Sequence, residues 1–138
     1  MLANSMCAAV LPSVDIERTR KFYTQTLGLP EVAMPVSGGA VESEQTTATF
    51  QCGAGTMIFV YQRPEPTKAE HTVAGWIVDD FDATVKELMV RGLAFETYPE
   101  MEGVTWDERG ISVSPDGTKG AWFTDPDGNI LALTEMPK

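Results

Sequence analysis

The chain has 138 residues, 43% of them hydrophobic, two cysteines, one histidine and a formal net charge of −10. That length suits one compact domain or two small modules. The charge repels phosphate backbones, so nucleic acid is not expected as a partner. No apolar run is long enough for a membrane span, and Met1 to Met6 lacks the basic and apolar regions of a secretory signal, so a cytoplasmic protein is expected. Cys7 and Cys52 are expected to stay reduced, and a zinc site built on several histidines is excluded by count.

Met6 to Leu11 reads as a strand ended by Pro12 and Ser13. Asp15 can cap the helix that follows, in which Ile16, Thr19, Phe22, Tyr23 and Leu27 recur at helical spacing until Gly28 stops it. Leu29 to Val36 suits an extended segment, and Gly38-Gly39 a turn or mobile loop. Thr46 to Cys52 and Thr56 to Tyr61 are strand candidates around Gly53-Ala54-Gly55. Residues 63–70, with Pro64 and Pro66, read as a linker between modules 1–62 and 71–138 of a single domain.

The second module repeats the first. Thr72 to Val78 is a strand, Asp79-Asp80 precede a helix with Phe81, Val85, Leu88 and Met89, and Gly92 stops it. Aligning Val14-Asp15 with Asp79-Asp80 brings Gly28-Leu29 to within one residue of Gly92-Leu93. Leu93 to Tyr98 is extended, and Glu100 to Gly110 is a polar stretch holding Trp106. Ile111 to Ser114, Gly120 to Phe123 and Ile130 to Glu135 supply the remaining strands. Pro115-Asp116-Gly117 forms one turn and Asp125-Pro126-Asp127-Gly128-Asn129 another, the latter a tight hairpin that fixes the last strand.

That hairpin, the duplication, Val14-Asp15-Ile16-Glu17-Arg18, Phe22-Tyr23, Leu27-Gly28-Leu29, Val78-Asp79-Asp80 and Arg91-Gly92 together resemble the vicinal oxygen chelate superfamily of glyoxalases, extradiol dioxygenases and bleomycin resistance proteins. The resemblance implies an α+β fold of two βαβββ modules whose sheets curve into a cup, commonly in a homodimer. It also implies four metal-ligand positions, which fall here on Ala8, Ile58, Val73 and Ala132. None of these side chains can ligate a divalent ion, so neither a metal nor another cofactor is expected.

Strand alternation then suggests an apolar cup face of Ala8, Val10, Ile58, Val60, Val73, Gly75 and Ala132, with Ile77, Ile130 and Thr134. Trp106 is a candidate lid, with Asp107, Glu108 and Arg109 beside it. Trp76 is assigned to the core, and either Trp122 or Phe123 faces the cup. His71 is either a shifted ligand or base, or an exposed strand end.

Three functions stay open. One is metal-independent binding of a small organic, cationic or aromatic ligand. The second is a glyoxalase-like lyase or isomerase in which Tyr23, Tyr61, His71, Glu96 and Glu135 converge. The third is a non-catalytic interaction or regulatory protein.

Overall fold

The structure, a computed structural model, describes residues 1–33 and 46–138. The Gly38-Gly39 loop, and the extended segment from position 34 on, lie outside them. The chain divides into two compact units. Met1–Lys68 with Pro126–Asn129 form the first, and Ala69–Asp125 with Ile130–Lys138 the second.

The first unit is a four-stranded sheet in the order β1-β4-β3-β2, made of β1 (Ala8–Ser13), β2 (Glu31–Val32), β3 (Thr47–Gln51) and β4 (Met57–Gln62). Strand β1 runs parallel to β4 and extends through Pro12 and Ser13, two residues past the expected end. Pro12 is tolerated because β1 lies at the sheet edge, where a missing N–H breaks no ladder. Helix α1 (Ile16–Lys21) starts at Asp15, whose carboxylate accepts from the Arg18 N–H, and widens into one π-helical stretch, Phe22–Thr26. Gly28, at φ 75°, ends it. Ile16, Thr19 and Tyr23 form its buried stripe, and Tyr23 stacks on Phe50 with centroids 5.0 Å apart.

The second unit repeats the plan with one added strand. Its order is β5-β9-β8-β7-β6, with β5 (Thr72–Ile77), β6 (Thr105–Trp106), β7 (Ser112–Val113), β8 (Lys119–Thr124) and β9 (Ile130–Glu135). Helix α2 (Phe81–Val90) is capped by Asp80, which accepts from the Ala83 N–H, and buries Phe81, Val85 and Leu88. Met89, expected on the same stripe, is exposed. The core closes on Ala121, Phe123, Leu131 and Leu133, and Trp76 stacks on Phe123 at 6.2 Å. Each unit is thus a parallel first strand, a helix and an antiparallel run, the βαβββ plan of an α+β fold.

The Asp125–Asn129 turn does more than join two strands. Asp127, with its side chain 0% exposed, accepts from the Val14 N–H (2.9 Å), the Arg18 guanidinium (3.0 Å) and the Thr19 hydroxyl (3.1 Å). Asn129 donates to the Pro12 carbonyl at 3.1 Å. A part-buried donor and a part-buried acceptor just before α1, the Val14 N–H and the Pro12 carbonyl, are thereby satisfied by residues more than a hundred positions away.

Candidate functional site

Residues paired across a ladder share a face, so register decides which side chains can meet a ligand. In the first unit Ala8 pairs with Met57 and Val10 with Phe59, whereas Ile58 pairs with Ala9 and Val60 with Leu11. Ile58 and Val60 are therefore on the helix side, buried with Leu11, and not on the face of Ala8 and Val10 as expected. On β4 that face carries Met57, Phe59 and Tyr61, with Phe59 and Tyr61 stacked at 6.5 Å. The β4 side chains that neighbour Ala8 and Val10 therefore still offer no imidazole or carboxylate. Val10 is 57% exposed.

In the second unit Gly75 pairs with Ala132, and Ala132 with Trp122. Trp106 pairs with Ser112, and Ser112 with Gly120. All six stand on the face opposite α2, while Ala74, Trp76, Ala121, Phe123, Leu131 and Leu133 stand on the helix face. Trp122, not Phe123, is thus the outward aromatic. Val73 is the extra residue of a bulge between Thr72 and Ala74 and has no partner in the register, so pairing assigns it to neither face.

The indoles of Trp106 and Trp122 lie 5.6 Å apart, and the Tyr98 ring meets Trp122 edge-on at 5.9 Å. The Trp122 indole N–H donates to the Thr72 hydroxyl at 3.1 Å. Ala132, beneath the cluster, is 8% exposed. Tyr98 was missed from sequence, and Glu96 was named there only as one of five groups for acid–base chemistry. Both lie in a segment without regular alternation, tied to the sheet where Glu96 bridges Trp122. The Tyr98 hydroxyl reaches the Glu96 carboxylate at 3.4 Å and the Thr124 hydroxyl reaches it at 3.5 Å. Burial, and then the Glu96 charge, push the Tyr98 phenol above its ordinary pKa.

Asp107 serves its own loop. It accepts from the Arg109 and Ile111 N–H groups and from the Arg109 guanidinium. Burial opposes its charge, but those bonds outweigh it and hold the carboxyl below its ordinary pKa. Within the second unit the polar groups named for acid–base chemistry do not gather on one face, Glu96 standing beside Trp122 on the side opposite α2. Tyr23 is in the first core, Glu135 is on the helix side of β9 with Lys119 and Lys138, and His71 is exposed just before β5. Among the described residues, no group of three or more His, Cys, Asp or Glu side chains is placed to hold a metal ion.

A duplicated βαβββ plan with an aromatic face defines the class. The sequence profile of the glyoxalase/bleomycin resistance protein/dioxygenase superfamily matches residues 6–133, and the chain belongs to that superfamily. Solved structures share the fold at low identity. A superfamily member from Sphaerobacter thermophilus is 24% identical, covers 99% of this chain and 100% of its own, and superposes with a TM-score of 0.65. A glyoxalase/dioxygenase from Nostoc punctiforme is 19% identical over 98% of this chain and 92% of its own, with a TM-score of 0.65. A glyoxalase/bleomycin resistance protein from Catenulispora acidiphila is 24% identical over 96% and 98%, with a TM-score of 0.63. No functionally curated protein matches the chain significantly.

Proposed function

We propose that the protein binds a small organic ligand bearing an aromatic ring, without a metal, on the face of the second sheet opposite α2. The observation that carries this reading is the Trp106–Trp122–Tyr98 cluster, three large aromatics on a β face next to Gly75. Such rings offer flat, apolar, low-entropy contact surface. Further support comes from the apolar side chains in the second unit at the positions where the superfamily resemblance implies metal ligands, Val73 and Ala132.

A homodimer in the cytoplasm belongs to the same reading. Val10 and Ile77, 57% and 76% exposed, are apolar surface suited to a partner, and sedimentation equilibrium should give twice the chain mass. Both cysteines are free, as suits a reducing compartment, and no helix among the described residues is long and apolar enough to cross a membrane.

Thermal shift with tryptophan fluorescence tests the binding. Neutral phenols and heteroaromatics should raise the melting temperature and quench the indoles, since a ligand at about 100 times its Kd adds about 2.7 kcal/mol. Divalent metals should produce no shift. Metal stabilisation reversed by chelator would overturn the reading and favour the lyase or isomerase alternative.

A further inference from the structure

Glu96 stands on the aromatic face, and we propose that this face selects an organic cation, a quaternary or protonated amine on an aromatic body, with its charge beside Glu96 and its ring against Trp122 and Tyr98. This rests on the reading that the face takes an aromatic ligand, and adds the sign of the ligand's charge.

Glu96 is set there by backbone. It bridges Trp122 in antiparallel fashion, and its N–H donates to the Trp122 carbonyl at 2.8 Å. Directly opposed residues of such a pair project to the same side with Cβ atoms about 5 Å apart, so the carboxylate stands next to the indole. Among the described residues it has no ion-pair partner. Asp82, Asp107 and Glu135 of the same unit each pair with a lysine or arginine. The side-chain partners of Glu96 among the described residues are two neutral hydroxyls at 3.4 and 3.5 Å. A carboxylate can accept about four hydrogen bonds, so these long contacts leave it with capacity for a further donor or a cation.

The rings favour the same sign of charge. An aromatic face attracts a cation through its quadrupole, and aromatic surfaces are the common receptors for quaternary ammonium groups. An anion placed here would meet Glu96 and the field of a chain with net charge −10. A neutral ring would gain the stacking alone.

Two probes of one shape separate the terms: 4-hydroxyphenyltrimethylammonium and 4-tert-butylphenol. The full chain is titrated with each by calorimetry and tryptophan fluorescence at about 0.15 M salt, where long-range attraction is screened beyond roughly 8 Å. The cation should bind about tenfold tighter. Glu96→Gln should cut that preference several-fold, to the part the rings supply, and leave the affinity for the neutral phenol unchanged. Glu102→Gln, which removes one exposed charge outside the cluster, should retain it.

Equal affinities in the wild type would overturn the charge assignment and leave the aromatic site standing. A preference undiminished by Glu96→Gln would overturn the role of Glu96. Binding of neither probe would remove both readings. Self-association abolished by Trp122→Ala would give the face to a second copy of the chain and overturn the proposal.

Discussion

Asp127→Ala should strongly destabilise the first unit, lowering stability by about 3 kcal/mol, the lower end for breaking a buried ion pair. The lower end applies because Arg18 is 45% exposed and recovers water, while the Val14 N–H and the Thr19 hydroxyl lose their acceptor. For a chain of this size the melting temperature should fall by roughly 10 °C. Asp127→Asn should cost about 1 kcal/mol, because one oxygen still serves Val14 and the Thr19 hydroxyl can donate to Ser13 instead. Arg18→Ala should cost less than Asp127→Ala. Denaturant unfolding of the three variants measures the order. A loss below about 1 kcal/mol for Asp127→Ala would show that the turn does not anchor the β1–α1 junction.

Gly120→Val should disable the aromatic face. Gly120 is buried on β8 two residues before Trp122, and a Cβ there would lie 2.9 Å from the Ser112 Oγ and 3.2 and 3.3 Å from the Trp122 ring. Ser112 cannot yield freely, because its hydroxyl donates to the Gly120 carbonyl at 3.1 Å. The ring must therefore move. Overpacking of this kind costs about 1–3 kcal/mol. Trp122 would leave its position against Trp106, with loss of near-ultraviolet ellipticity and at least about tenfold weaker binding of an aromatic ligand. Gly120→Ala should show the same changes at smaller size. An unchanged near-ultraviolet spectrum together with unchanged ligand affinity in Gly120→Val would show that the glycine does not seat the indole.

Much of the fold was legible because it is local. The acidic caps Asp15 and Asp80, the stripe of Phe81, Val85 and Leu88, the glycine stops and the last strand all follow from spacing and turn chemistry. Period two separates the faces of a strand but does not say which faces meet across neighbours. Ile58 and Val60 went to the wrong side for that reason, since the parallel β1–β4 register is offset by one residue from the one alternation suggested. The bulge at Val73 leaves no mark in the sequence. Nor does the Glu96–Trp122 bridge, which joins a loop to a strand without any repeating pattern. The aromatic face was therefore half visible: Trp106, Gly75 and Ala132 were placed on it from sequence, Trp122 was left open against Phe123, Glu96 was named only for acid–base chemistry, and Tyr98 required the fold.

The anchoring of Asp127 also bears on the order of events as the chain is made. Thr19 emerges 108 residues before the carboxylate it bonds. At about 5–20 residues per second, that separation lasts roughly 5–20 s on the ribosome. Throughout that interval the β1–α1 junction lacks its acceptor, and the first unit forgoes about 3 kcal/mol of stability until nearly all of the second is synthesised. Vectorial folding from the N-terminus is weakened by that amount. Its first half matures late, when residues 126–129 arrive to complete it.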